Sequence, residues 1–161
     1  MVIAFRAIVY ATFFIGFLLI YLPARLLSWS GIVRPAIEGP QIMGIIVGAV
    51  GALIAFWCIF TFVRIGRGTP APFDPPRRLV IRGPYRFVRN PMYIGAGLTL
   101  IGAALFYESA LLLGYGGLFL IACHLLVVSY EEPTLQKTFG PEYEAYRHYV
   151  NRWLPRARGG Q

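Results

Sequence analysis

The sequence has 161 residues, of which 57% are hydrophobic and 14% are charged, and its mean hydropathy is +0.61. An ordinary soluble domain carries about 25% charged residues, so the composition excludes that class and predicts one integral membrane domain over residues 1–161. The net charge of +8 comes mainly from arginines that adjoin apolar segments. This position favours a role in membrane topology and contact with anionic lipid headgroups over nucleic-acid binding.

Four apolar segments approach the length of about 20 residues that a bilayer span requires. They are residues 7–24, 41–63, 92–107 and 109–130. The first stays apolar to Leu22 without a small-residue cleavage site, so we predict a transmembrane helix and not a signal peptide. The second carries small residues at helical spacing, which predict close contact with another helix; they are Gly44, Gly48, Gly51 and Ala55. The third and fourth are separated by Glu108 and should form a tight helical hairpin.

The distribution of arginines predicts the orientation of these segments. Seven arginines lie between the second and third segments, at positions 64, 67, 77, 78, 82, 86 and 89, and further basic residues follow the fourth. The loop between the first and second segments has only Arg25 and Arg34. By the positive-inside rule, the 64–91 loop, the C-terminal tail and both termini are therefore predicted to be cytoplasmic.

The two cytoplasmic regions differ in their expected structure. The loop contains six prolines, which exclude a helix, and its Phe73, Tyr85 and Phe87 alternate with arginines as in an interfacial segment. In the tail, Pro141 and the acidic residues after it predict an amphipathic helix with a tyrosine stripe. The predicted fold class is all-α: a bundle of four transmembrane helices with a cytoplasmic interfacial loop and a C-terminal amphipathic helix.

The start of the third segment has the features of an anion receptor. Asn90 is a favoured N-cap and Pro91 suits the first helical position, while a helix N-terminus presents free N–H groups to a carboxylate or phosphate. Arg89 precedes it, and Gly95 and Gly97 follow one turn later, where a ligand could approach the backbone. The alternative is that Asn90 and Pro91 simply begin a span and that the glycines pack helices.

Two adjacent carboxylates, Glu131 and Glu132, follow the fourth segment and should lie near Asn90 at the same end of the hairpin. Carboxylates at an apolar boundary require a cationic partner. That partner is either an arginine of the 77–89 loop or a cationic group of a ligand, such as an ammonium or a sulfonium. An anion receptor beside a cation receptor suits a zwitterionic amino-acid group.

The remaining polar candidates are few. His124 lies inside the fourth segment, where a polar residue is either functional or engaged in a hydrogen bond between helices. Cys58 and Cys123 are isolated within apolar segments, which indicates buried thiols, and with two histidines in the chain no metal site is expected.

The stretches LVIRGPYRFVRNPMYIG and EEPTLQKTFGPEYEAYRHYVNRWLPR closely resemble the isoprenylcysteine carboxyl methyltransferase family and its phospholipid methyltransferase relatives. The resemblance covers about residues 79–156. It implies a multi-span helical enzyme that uses S-adenosylmethionine, yields S-adenosylhomocysteine and needs no metal. The cofactor region would comprise residues 79–97 and 131–156. The implied cofactor-binding residues are Tyr85, Asn90, Pro91, Tyr93, Gly95, Gly97, Glu131, Glu132, Tyr143 and Tyr146.

Two positions depart from the family pattern. Asn90 stands where the family usually has histidine, although asparagine preserves the N-cap role. The segment before the acidic pair is HLLVVSY, without the arginines of the carboxyl methyltransferases, which argues against a prenylcysteine carboxylate as the substrate.

The function predicted from the sequence is methyl transfer from S-adenosylmethionine to a lipophilic small molecule or lipid that enters from the bilayer. The acceptor is a carboxylate, an amine or a thiol, and the candidate catalytic residues are His124, Glu131 and Arg89. The alternative is a non-catalytic membrane scaffold or lipid-binding protein of the same shape.

Overall fold

The computed structural model describes residues 15–66 and 78–156, and the regular structure in these ranges is helical. The α-helices are α1 (Leu22–Ser30), α2 (Gly39–Thr61), α3 (Pro91–Phe106), α4 (Ala110–Leu126), α5 (Glu132–Phe139) and α6 (Pro141–Tyr149). Wider π-helical segments precede α1 (Ile15–Tyr21), follow α2 (Phe62–Gly66) and join α4 to α5 (Val127–Glu131), and a short 3-10 helix covers Gly83–Arg86. The all-α class is confirmed for the described residues.

Among the described residues, two continuous helices are long and apolar enough to cross a bilayer. They are α2, with 23 residues, and the 30-residue helix Ala110–Phe139 that α4 and α5 form together. Their most apolar windows are only 17% and 28% buried, so most of these apolar side chains face outward, as lipid contact requires. Helix α3 is apolar but has only 16 residues. Residues 7–14 of the predicted first segment, 7–24, lie outside the described residues, as does Phe73, and the rest of that segment is helical.

The helix boundaries follow the predicted second and third segments, but two other predicted ends were wrong. The first segment was expected to end at residue 24, whereas the helix continues to Ser30. The fourth segment was expected to end at residue 130, but the helix continues without a break to Phe139. The acidic pair does not end it, because both carboxylates have protein partners, described below. The helix ends instead at Gly140, whose φ of +49° is a conformation that favours glycine.

Helices α2 and α3 pack with their backbones in contact. A β-carbon on Gly51 would lie 2.5 Å from the carbonyl oxygen of Gly95, and one on Gly44 would lie 2.7 Å from that of Gly102. Real β-carbons do not approach so closely, so glycine is required at these crossing points. The small-residue face predicted for α2 is therefore confirmed, and α3 is its partner.

The turn between α3 and α4 is the predicted tight hairpin. Glu108 adopts a positive φ of 47°, and the Ser109 side chain caps α4 by accepting a hydrogen bond from the Leu112 N–H at 3.2 Å. Buried Gln41 of α2 donates from Nε2 to Glu108 Oε1 at 2.8 Å and to the Phe106 carbonyl at 3.3 Å. These bonds tie α2 to the hairpin at the end opposite the acidic pair.

The core between α3 and α4 consists of buried side chains from both helices: Tyr93, Ala96, Leu100, Phe119, Cys123 and Val127. The chain before α1 joins this core, since Leu18 and Leu19 pack against it and the Tyr115 hydroxyl donates to the Leu18 carbonyl at 2.8 Å. Cys58 and Cys123 are both buried free thiols.

Candidate functional site

Helix α3 begins at Pro91 with Asn90 at the N-cap position, as the sequence predicts. The Asn90 side chain, however, does not cap the helix; its Nδ2 donates to the Arg152 carbonyl at 3.3 Å. The first turn of α3 is thus left without a side-chain cap, and its N–H groups retain their capacity to bind an acceptor. Asn90 serves instead to attach the C-terminal segment to the start of α3.

The two adjacent carboxylates bind different partners. Glu132 accepts two hydrogen bonds from Arg152, from Nε at 2.7 Å and from Nη2 at 2.9 Å, and its Oε1 lies 3.1 Å from Arg89 Nη1. Glu131 accepts a short hydrogen bond from the Tyr93 hydroxyl of α3. Among the described residues, no arginine or lysine forms an ion pair with Glu131. Of the two interpretations of the acidic pair, pairing with a loop arginine therefore describes Glu132 but not Glu131.

Arg89 joins the loop, the acidic pair and the C-terminal helix. Its side chain is 10% exposed, and its Nη1 also donates to the Tyr143 hydroxyl at 3.3 Å, while its backbone N–H donates to the Asn151 carbonyl at 2.9 Å. Its Nε is buried without a hydrogen-bond partner in the described part of the chain, and so is Gln136 Oε1, one turn beyond Glu132. Buried polar atoms usually have partners, so these two atoms are candidates for contact with a bound molecule.

We define the polar cluster as the side chains that these contacts bring together at one end of the hairpin: Arg89, Tyr93, Glu131, Glu132, Tyr143 and Arg152. The hydrogen bond with Glu132 raises the pKa of Arg152 further, so its positive charge is retained. Formally the cluster holds two positive and two negative charges. It can therefore accommodate a zwitterion without changing its net charge.

Two tyrosines of α6, Tyr143 and Tyr146, lie over the polar cluster, whereas the ring of Tyr85 in the loop packs against Cys58 and Phe62. Tyr143 is 2% exposed, and the Tyr146 hydroxyl donates to the Tyr85 carbonyl at 2.6 Å, which fastens α6 to the Gly83–Arg86 turn. Burial raises the pKa of all three phenols, so they stay protonated at neutral pH and remain hydrogen-bond donors. Tyr149 is 73% exposed, so only the first two tyrosines of the predicted stripe, Tyr143 and Tyr146, pack against the protein.

The two candidate glycines lie on different faces of α3. A β-carbon on Gly95 would lie 2.7 Å from the Gly51 carbonyl oxygen and 2.9 Å from the Ala55 nitrogen, so Gly95 faces α2 and not the polar cluster. A β-carbon on Gly97 would meet the Leu120 side chain of α4, at 2.6 Å from its Cδ2. Neither predicted glycine therefore contacts the polar cluster: Gly95 is used in packing against α2, and Gly97 lies against α4 and the groove described next.

His124 lies on the same helix as Glu131, seven residues before it, in an apolar groove between α3 and α4. The groove has a volume of about 420 Å³ and is lined by Gly97 and aliphatic side chains. His124 and Trp153 are the lining residues whose side chains can form hydrogen bonds. Trp153 Nε1 donates to His124 Nδ1 at 3.1 Å. Sequence reasoning did not single out Arg152, Trp153 or Gln136; the run NRWLPR, inside the family resemblance, was the signal available for the first two.

A family model described as phospholipid methyltransferase matches residues 40–142, which is most of the chain. The chain belongs to the phospholipid methyltransferase family. No curated protein and no solved structure matches the chain. The family resemblance drawn from the sequence is therefore confirmed, and membership implies a membrane methyltransferase that acts on lipids.

The match to the phospholipid methyltransferase family covers α2, the loop, α3, α4 and α5, and it ends at the start of α6. Arg89, Glu131 and Glu132 lie inside it. Tyr143, Arg152 and Trp153, which cover the polar cluster and the groove, lie beyond it. In this member of the family, the residues that close the site are thus contributed by a segment that the family model does not include.

Proposed function

We propose that the protein transfers the methyl group of S-adenosylmethionine to a lipophilic acceptor and binds this cofactor at the polar cluster. The observation that carries the proposal is the unequal partnering of the acidic pair. Two arginines bind Glu132, whereas the partner of Glu131 among the described residues is the Tyr93 hydroxyl. Glu131 is partly buried at an apolar boundary, where a carboxylate requires a cationic partner, so we assign the ammonium of an amino acid to Glu131.

The opposite charge of the cofactor has its own receptor nearby. Arg89 Nε is buried with no hydrogen-bond partner among the described residues, and the first turn of α3 has no side-chain cap. We assign the carboxylate of the methionine group to these donors. Glu132 then acts as a positioning residue, since its contacts hold Arg89 and Arg152 in place.

The remaining residues of the polar cluster orient the reaction and exclude water. When bound, S-adenosylmethionine supplies a methyl group on a positively charged sulfur. Tyr143 and Tyr146 cover the cluster from the side of α6, so that a nucleophile reaches it from the groove and not from bulk water. A carboxylate or thiolate acceptor needs no base, whereas an amine acceptor must reach the methyl group in its neutral form.

Cofactor binding measured by calorimetry on the full chain in detergent tests the proposal. The probes are S-adenosylmethionine and methylthioadenosine, which lacks the amino-acid group. We expect saturable binding of the first and at least about tenfold weaker binding of the second, because charge-assisted hydrogen bonds are lost. No binding of S-adenosylmethionine would favour the non-catalytic scaffold, and equal binding of both would remove the zwitterion assignment. Incubation with labelled cofactor and a lipid extract would then identify the acceptor.

The proposal includes the predicted orientation, with both termini and the polar cluster on the cytoplasmic side. The Glu108 turn and the exposed segment before α2 would then lie on the other side of the membrane. Labelling of Ala36→Cys and Leu154→Cys in intact cells tests this arrangement. A membrane-impermeant reagent should label only the first variant, and labelling of only the second would reverse the orientation.

A further inference from the structure

The groove between α3 and α4 has apolar walls and one imidazole side chain, His124. Ile94 and Ile101 of α3 line it together with Leu120 and Ile121 of α4, and Trp153 lines it beside His124. No lysine or arginine is among the described residues that line it. The groove therefore suits a hydrocarbon chain but offers no charge to pair with an anionic oxygen.

The hydrogen bond between Trp153 and His124 fixes the proton on the imidazole ring. An indole nitrogen can only donate, so His124 Nδ1 must accept and the ring proton must reside on Nε2. Among the described residues, only Trp153 forms a hydrogen bond with the His124 ring, and it does so at Nδ1. His124 consequently presents one N–H donor, at Nε2, and has no lone pair left for use as a base unless Trp153 moves away.

The position of His124 along the helix limits what this donor can bind. His124 precedes Glu131 by seven residues, which places it about 10 Å from the polar cluster along the helix axis, on the side of the hairpin turn. An anionic oxygen is costly at such a depth without a cation. A neutral carbonyl oxygen on a long chain is the acceptor that satisfies both the donor and the apolar walls.

We propose that His124 is a specificity-determining residue that donates from Nε2 to a neutral carbonyl of a long-chain lipid held in the groove. Trp153 is the corresponding positioning residue, because its indole sets the tautomer of His124. Its neighbour Arg152 binds Glu132, so one short segment of the chain connects the lipid groove to the polar cluster. This proposal rests on the proposed function for its substrate class, but lipid binding can be measured without the cofactor.

The test uses the fluorescence of Trp153 in the full chain, in a Trp29→Phe, Trp57→Phe background in detergent. Two quenchers are titrated, methyl 6,7-dibromostearate and 6,7-dibromooctadecane, which share the chain and the bromines but differ in the carbonyl. We expect saturable quenching by both, with half-saturation by the ester at about fivefold to tenfold lower mole fraction in the micelle, as one hydrogen bond provides.

Variants of the two histidines decide whether His124 is the donor. His124→Leu should remove the preference for the ester, whereas His124→Gln, which can still accept from Trp153 and donate to a carbonyl, should retain it. His148→Leu, the matched change on α6, should leave it unchanged. Equal quenching by the two compounds, no saturable quenching, or a preference that survives His124→Leu would each overturn the proposal. Normal S-adenosylmethionine binding alongside any of these results would leave the proposed function intact.

Discussion

Helix α3 meets its neighbours in two different ways on its two sides. Toward α2, Gly95 and Gly51 bring backbone against backbone, and a β-carbon on Gly95 would lie 2.7 Å from a carbonyl oxygen. Toward α4, the atom nearest to a β-carbon on Gly97 is the end of the Leu120 side chain, and a groove of about 420 Å³ opens beside it. Backbone cannot yield locally, but a leucine can change rotamer.

This difference separates a rigid side of the molecule from an adaptable one. The contact between α2 and α3 fixes the position of α3 and hence of Arg89 and Tyr93 at its start. The contact between α3 and α4 leaves space that a lipid can enter next to the polar cluster. Successive positions of a helix point about 100° apart. Gly95 and Gly97, two residues apart, therefore lie on roughly opposite sides of α3 and contact different helices.

The largest expected effect is on the rigid side. Gly95→Ala should lower the free energy of unfolding by about 2–3 kcal/mol, because the added methyl group meets the backbone of α2 and the helices must separate. Unfolding in mixed detergent micelles measures it. The matched control is Gly117→Ala on α4, where a β-carbon meets nothing within 4 Å. Alanine is the better helix former by about 1 kcal/mol, so the control should be neutral or stabilising, and a Gly95→Ala protein as stable as the control would contradict the rigid contact.

A smaller effect is expected on the adaptable side. In Gly97→Ala, Leu120 must move, but the gain in helix propensity offsets the cost, so the unfolding free energy should change by less than about 1 kcal/mol. The added methyl group should, however, narrow the groove and weaken quenching of Trp153 by the dibromo ester. If Gly97→Ala were destabilised as much as Gly95→Ala, the two sides of α3 would not differ as described.

The packing of α2 was predictable from the sequence because it depends on local spacing. Gly44, Gly48 and Gly51 share a helix face whatever surrounds them, and only the partner helix was unknown. The opposite roles of Gly95 and Gly97 were not predictable, since they depend on how α3 is rotated between its two neighbours. The hairpin at Glu108 was also predictable from local sequence, because a single charged residue divides two apolar runs there.

Every member of the polar cluster except Arg152 was named from the sequence or from the family resemblance, but the pairing of these residues was not predicted. Asn90 and Pro91 mark a helix start by residue type, and the acidic pair requires partners on physical grounds. The partners from the tail were missed because Arg152 reaches Glu132 across 20 positions and Trp153 reaches His124 across 29. Local patterns do not report the path of such a segment. The same pairing explains why the helix continues through the acidic residues when an end was predicted there.

The central claim is that Glu131 receives the ammonium group of the cofactor. The most direct measurement is the calorimetric affinity of the Glu131→Gln protein for S-adenosylmethionine, with Glu142→Gln, an exposed change on α6, as the matched control. Loss of a charge-assisted hydrogen bond costs about 1.5–3 kcal/mol, so Glu131→Gln should bind roughly 10- to 150-fold more weakly, with the control unchanged and methylthioadenosine binding unaffected. Wild-type affinity in a folded Glu131→Gln protein would contradict the account.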